Sequence, residues 1–286
     1  MATAPTIFIT GCSSGIGACC AEGLRQRGWR VFAGTRRQED VARLAAAGFE
    51  AIQIDLDDSD SIAAAARTVL AASEGRLDAL FNNAGFGQPG AVEDLSRTAL
   101  REQFETNLFG TVELTNLLLP AMVARKQGRV LFNSSVLGFA AMPYRGAYNA
   151  SKFAMEGLVD TLRLELAGTG VHPVLIEPGP IVSRFRPNAF ARYQRHIAGR
   201  PSRHAAVYQA MEDRLNKPGP VAPFTLPPEA VLDAVLKALT ARRPRPRYRV
   251  TLPTKFFALA KRLLPTRLLD QLLQAGAGSE SRPRPG

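Results

Sequence analysis

Tyr148 and Lys152 are four residues apart. On a helix they share one face. Ser135 lies thirteen residues before the tyrosine. A hydroxyl, a phenol and an ammonium brought together can move a proton on or off a substrate oxygen. A free phenol, with a pKa near 10, is a poor proton-transfer group at neutral pH. An adjacent ammonium favours the phenolate and lowers that value. One reaction such a set would serve is hydride transfer to a carbonyl carbon, whose oxygen must gain a proton. Tyr148 is then the general acid in reduction and the general base in oxidation. A lone Tyr-x-x-x-Lys pair also arises by chance on a solvated helix face, so the reading depends on what surrounds it.

The decisive neighbour is Thr10-Gly11-Cys12-Ser13-Ser14-Gly15-Ile16-Gly17. It follows an apolar strand-like run and enters a helical pattern. Glycines permit the sharp turn and a close backbone approach, and the helix N-terminus offers free N–H groups to a pyrophosphate. Strand before, helix after and a place in the first βα unit are the context such a loop requires.

The elements that position these residues alternate for about 180 residues. Strands are read at Thr6–Thr10, Arg30–Gly34, Phe49–Asp55, Ala79–Asn82, Arg129–Asn133 and His172–Glu177. Between them lie helical patterns at Gly15–Arg27, Glu39–Ala47, Ser59–Ser73, Ser96–Ala124 and Tyr148–Ala167. Runs such as TIFIT, ALF and RVLF have continuous apolar centres, as expected when both sheet faces are covered. Strict alternation implies a parallel sheet with right-handed crossovers. Ser135 and Tyr148 then both reach the crevice at the carboxyl ends of the strands.

The spacing G-x-x-x-G-x-G resembles that of the short-chain dehydrogenase/reductase family. Further motifs follow in that family's order: Asn82-Asn83-Ala84-Gly85, Asn107, Ser135, Tyr148-Asn149-Ala150-Ser151-Lys152 and Pro178-Gly179-Pro180-Ile181-Val182-Ser183. The resemblance covers about residues 5–250. It implies an α/β chain: a single Rossmann-like, doubly wound parallel seven-stranded sheet with helices on both faces, carrying NAD(P)-dependent oxidoreduction. It implies that Ser135 hydrogen-bonds the substrate oxygen, that Lys152 holds the nicotinamide ribose and that Asn107 supports a water relay to the lysine. Cofactor contacts are implied for Gly11, Ser13, Ser14, Gly15, Ile16 and Gly17, and for Asn82, Ala84 and Gly85. Asp55 and Leu56 match an adenine-contacting pair. Pro178, Gly179 and Ile181 match the PG motif, and Ser183 a hydroxyl near the carboxamide.

The end of the second strand reads Gly34-Thr35-Arg36-Arg37. NAD-binding sheets place an acidic residue there, whereas an arginine accommodates the 2′-phosphate of NADP. Thr35 fills the acidic slot and Arg36 can contact the phosphate with charge assistance. NADP(H) is therefore expected over NAD(H), although Ser14 stands where some NADP-preferring relatives carry a basic residue.

Substrate groups are expected from Leu137, Phe139, Met142 and Tyr144, and from an insertion at about 180–226 carrying Phe185, Phe190 and Tyr193. An apolar pocket of this kind suits a lipophilic carbonyl or alcohol. The chain resembles most the branch with 17β-hydroxysteroid and retinol dehydrogenases and bacterial aldehyde reductases, which suggests a steroid, retinoid or fatty aldehyde. A cofactor-binding redox sensor or scaffold is the competing reading, disfavoured by the intact proton relay.

The catalytic domain is expected over 1–252, with a strand at Arg247–Leu252 after a helix at Pro228–Ala241. A basic amphipathic extension follows over 253–286. Its segment Phe256–Gln274 either lies in a membrane interface or packs on the subunit or a partner, and Pro265 interrupting the helix favours packing. The tail SESRPRPG is expected to fray.

Residues 1–182 hold 16 Lys+Arg and 19 Asp+Glu, a net of −3, whereas residues 183–286 hold 20 and 6, a net of +14. The overall +11 thus leaves the main body mildly acidic, which argues against nucleic-acid binding. No run of 18 apolar residues occurs, so no spanning helix is expected. The start lacks the basic region of a secretory signal. Cys12, Cys19 and Cys20 read as reduced thiols of a cytoplasmic protein. A homodimer or homotetramer is expected. No metal spacing is present. His172, His196 and His204 sit in no motif of a serine's base.

Overall fold

The computed structural model describes residues 4–277. Seven strands form one parallel sheet in the order β3-β2-β1-β4-β5-β6-β7. They are β1 (Thr6–Thr10), β2 (Arg30–Thr35), β3 (Glu50–Gln53), β4 (Ala79–Asn82), β5 (Gly128–Asn133), β6 (Val171–Glu177) and β7 (Arg247–Arg249). The order reverses between β1 and β4, which opens a crevice at their carboxyl ends. The expected α/β doubly wound fold is therefore the observed one.

Alternation along each strand divides the core into two layers. Phe8, Phe32, Leu80 and Phe132 point to one face. They meet α3 (Ser59–Ala72), α5 (Gly110–Ala124) and α6 (Gly146–Glu165). Ile7, Ile9, Val31, Phe81 and Leu131 point to the other. There they meet α1 (Gly15–Arg25) and α9 (Glu229–Thr240). Between β2 and β3 runs α2 (Gln38–Ala46).

The long helix expected from Ser96 is continuous but not uniform. It begins as α4 (Arg97–Phe104), widens into a π-turn over Glu105–Phe109 and continues as α5. By length and composition Arg97–Ala124 could cross a membrane. Here Leu114, Leu118 and Met122 are fully buried beneath the sheet. The π-turn carries Asn107, and such turns often mark functional sites.

The insertion forms α7 (Phe185–His196) and α8 (Ala205–Asn216). Their Tyr193, Ile197, Tyr208 and Met211 pack with Ala91 as a small separate cluster. The expected last strand is shorter, ending at Arg249. Thr251 then caps α10 (Leu252–Leu263) by accepting from the Thr254 amide. Pro265 separates α10 from α11 (Thr266–Gly276). Phe257 and Leu273 are buried against Val136, Leu137 and Ala140. The tail SESRPRPG lies outside the described residues.

Candidate active site

The loop after β1 is held by its neighbours. Thr10 Oγ1 accepts from the amides of Asn83 and Ala84, both at 3.0 Å. Asn83 Nδ2 donates to Thr10 O at 2.9 Å, and Asn133 Nδ2 donates to Asn83 Oδ1 at 3.0 Å. These bonds tie the carboxyl ends of β1, β4 and β5 together. Gly11 has φ +75°, and a Cβ on Gly17 would stand 2.2 Å from the Gly11 carbonyl oxygen. Only glycine lets α1 start this close to the strand it leaves. Ser14 makes no side-chain cap, so the first amides of α1 keep their donors for a ligand. An anionic pyrophosphate fits that set.

The crevice measures about 980 Å³. Gly11, Ser13, Ser14, Gly15 and Ile16 form one end. Ala84, Gly85, Ser135, Tyr148 and Lys152 form the middle. Pro178, Gly179, Ile181 and Ser183 line the β6 side, and Leu137, Met142, Tyr144 and Phe185 the remaining wall. Phe139, Phe190 and Tyr193, which the sequence suggested for substrate, are outside that wall and pack in hydrophobic clusters.

Six expected residues also lie outside it. Gly17 serves the close approach just described. Arg36 is exposed beyond the buried Thr35 at the end of β2. Asp55 follows β3, with its amide donating to Ser61 Oγ at 2.9 Å, and Leu56 is buried. Asn82 is corrected. As the last residue of β4 it turns into the layer under the sheet, where Nδ2 donates to Thr115 Oγ1 at 2.9 Å. Asn83, one residue on, lines the crevice in its place.

Asn107 is the sixth. Its Oδ1 accepts from the Phe86 amide at 3.0 Å, and its Nδ2 donates to Phe86 O and to Ser151 Oγ. Ser151 Oγ in turn donates to Tyr148 O at 2.9 Å. Its direct partners are thus the loop after β4 and α6, and Lys152 is not among them.

Ser135 leaves β5 as the cap of a 3-10 turn, accepting from the Leu137 amide at 3.1 Å. A side-chain hydrogen bond joins it to Tyr148. The Tyr148 ring meets Phe185 edge-on, with centroids 5.3 Å apart. Lys152 Nζ donates to Asn133 O at 2.6 Å and stands 5.7 Å from the Tyr148 ring centroid.

The expected lowering of the tyrosine's pKa is not what this geometry produces. Burial pushes Tyr148 up to about 12, opposed by the Ser135 hydrogen bond. Burial also pulls Lys152 down to about 8, opposed by the Glu156 carboxylate. Desolvation thus outweighs the ammonium's field at this distance.

Sequence reasoning missed three features. Arg43 of α2 reaches back to donate to Ser13 O at 3.0 Å. Ser134 Oγ donates to Glu156 Oε1 at 2.5 Å, one turn of α6 after Lys152. Arg247 of β7 links Glu156 to Glu177, with contacts of 3.1 and 3.0 Å. Each joins residues 22 to 91 positions apart, so no local pattern signalled them. No group of three His, Cys, Asp or Glu able to hold a metal occurs among the described residues.

Comparison with known proteins agrees with this arrangement. The short chain dehydrogenase family matches residues 5–194. The chain belongs to the short-chain dehydrogenase/reductase family. It is 43% identical over 270 residues to the oxidoreductase YbbO of Escherichia coli, covering 94% of each chain. It is 36% identical to human 17-beta-hydroxysteroid dehydrogenase type 1, over 86% of this chain and 77% of the relative. It is 32% identical to the NADPH-dependent 3-dehydrocapnine reductase of Ornithobacterium rhinotracheale, over 92% and 94%. The protein is therefore an oxidoreductase of this family.

Proposed function

We propose that the protein is an NADPH-dependent reductase of a lipophilic aldehyde or ketone. The observation that carries this reading is the hydrogen-bonded Ser135–Tyr148 pair set in the wall of a large crevice with Leu137, Met142, Phe185 and Phe257. A few polar groups converge in otherwise apolar surroundings, the usual make-up of a lipophilic ligand site. One relative named above is a hydroxysteroid dehydrogenase and another an NADPH-dependent reductase, which supports both halves of the proposal.

A bound NADPH would supply the hydride. Its pyrophosphate would lie on the α1 amides, and Arg36, with no acidic partner among the described residues, is free to meet a 2′-phosphate. Ser135 Oγ orients the substrate oxygen by hydrogen bonding. Tyr148 keeps its proton at neutral pH because burial raises its pKa. It therefore meets the carbonyl oxygen as an acid, the form that reduction needs. Lys152, fixed on Asn133 O, would hold the nicotinamide ribose of the cofactor. Purified protein incubated with NADPH and a homologous series of aldehydes and ketones tests the reading. Oxidation of NADPH that becomes more efficient with longer apolar chains is expected. No turnover across the series would reject it.

A further inference from the structure

The C-terminal helix α10 is apolar on two opposite sides. Thr254, Phe257, Ala258 and Ala260 are buried against the body. Leu252, Phe256, Leu259 and Leu263, spaced four, three and four residues, are 62%, 54%, 57% and 70% exposed. That spacing is one helix face. Lys255 and Arg262 stand beside it, four residues before and three after Leu259. Leu268 and Arg267 of α11 are exposed as well. The segment thus both packs on the subunit and presents an apolar stripe to solvent, so the two alternatives posed by its sequence are not exclusive.

The stripe is continuous with the crevice. Leu252 and Phe256 line it, and so do Val182, Phe185 and Phe224, which are also exposed. Apolar side chains gathered at an opening mark an interaction site.

We propose that this face docks on an anionic lipid bilayer, with α10 lying in the headgroup region and the crevice opening toward the lipid. A second copy of this chain would set Lys255 and Arg262 against an identical basic surface. An anionic membrane is complementary to it, and a helix with an apolar stripe flanked by Lys and Arg suits an interface. Each basic residue near such a surface contributes roughly fivefold to binding. Docking would let a substrate dissolved in the bilayer enter without crossing water; this last step rests on the proposed function, whereas docking does not.

The test is co-sedimentation of the full chain with vesicles of phosphatidylcholine alone or mixed with phosphatidylglycerol, at low and high salt. Binding to the anionic vesicles is expected, weakened at least about tenfold as salt screens the charges. The variants Leu259→Glu/Leu263→Glu and Lys255→Glu/Arg262→Glu alter no crevice residue. Each should lose at least about tenfold in vesicle affinity, melt like the parent and turn over a small soluble aldehyde at the parent rate. Failure to bind anionic vesicles, equal binding to neutral ones, or binding unchanged in both variants would overturn docking. So would conversion of a dimer to a monomer by Leu259→Glu/Leu263→Glu, which would assign the face to a second copy. Sedimentation involves no turnover. A protein that binds vesicles but reduces nothing would reject the function and leave the docking standing.

Discussion

Lys152 Nζ donates to the backbone carbonyl of Asn133 at 2.6 Å, which fixes the ammonium of α6 to the end of β5. The ammonium is buried there, and burial pulls its pKa from 10.5 to about 8. Its folded value lies below its unfolded one. Between these values the unfolded chain binds more protons, so stability rises as pH rises through that window. Below it the buried charge costs stability. Lys152→Met, of similar volume and uncharged, should therefore be more stable than the parent at pH 7, by about 3 kcal/mol at most. The advantage should shrink toward pH 10. Parallel melting curves would check it, and a variant less stable at pH 7 would show that the Asn133 bond outweighs the desolvation. Turnover should fall regardless.

Tyr148→Phe removes the hydroxyl bonded to Ser135 and leaves the ring against Phe185. Turnover should drop by at least about 100-fold, the scale of a positioned acid–base group. NADPH affinity, measured by fluorescence titration, should stay within a few-fold of the parent. In the parent the tyrosine remains protonated across neutral pH, so reduction should show no loss from its titration below pH 9. A loss of reductase activity between pH 6 and 8 with a tyrosine signature in ultraviolet difference spectra would contradict the raised pKa.

Most of the fold was legible because parallel strands buried on both faces have continuous apolar centres. TIFIT and ALF carry that signal without a break, and β1 and β4 came out at Thr6–Thr10 and Ala79–Asn82 as read. The edge was read less well. Only Glu50–Gln53 of the expected Phe49–Asp55 pairs, since β2 alone borders it and its ends have no second neighbour. The loop, Ser135, Tyr148 and Lys152 were legible through their spacing. The turned side chain of Asn82, the bonds of Asn107 and the reach of Arg43 were not, because each depends on which face of an element meets another. Nor did adjacency in sequence reveal the tyrosine's environment, since a neighbouring lysine signals charge and burial decides its effect.

Arg36 bears on cofactor choice. It follows the buried Thr35, and Arg37 beside it is paired with Glu39 at 3.0 Å, which leaves Arg36 the freer of the two. Arg36→Ala should weaken NADPH binding by about 1.5–3 kcal/mol, the range for a hydrogen bond to a charged group. NADH binding should hardly change. Calorimetric titration with both cofactors would separate the two, and equal losses would show that Arg36 does not read the 2′-phosphate.

Arg247 stands among three carboxylates beneath the site, sharing Glu177 with Arg249 and Asp160 with Arg163. Its Nε is 3.0 Å from Glu177 Oε1 and 3.1 Å from Glu156 Oε2, and its Nη2 is 2.6 Å from Asp160 Oδ2. Glu177 is fully buried. Burial and the Glu156 carboxylate outweigh Arg249 and Arg247 and push its pKa up to about 7. Removing one partner of a buried ion pair costs about 3–5 kcal/mol; Glu156 has no second salt bridge among the described residues, whereas Glu177 keeps Arg249. Arg247→Met should therefore destabilise on that scale at pH 8. The sign with pH follows from the raised value. A carboxyl whose folded pKa exceeds its unfolded one contributes stability that is full below the unfolded pKa and lost as pH rises through the folded pKa. Without Arg247 both carboxyls titrate higher still, so the deficit should be smallest near pH 5 and widen toward pH 8. Adding Glu177→Gln should recover part of it at pH 8 and little at pH 5. Urea denaturation of the two variants at both pH values would check the pattern. A deficit independent of pH would mean that Arg247 acts through packing alone. Ser134 bonds Glu156 and adjoins Ser135, so the single variant should also lower turnover while leaving NADPH affinity nearly unchanged.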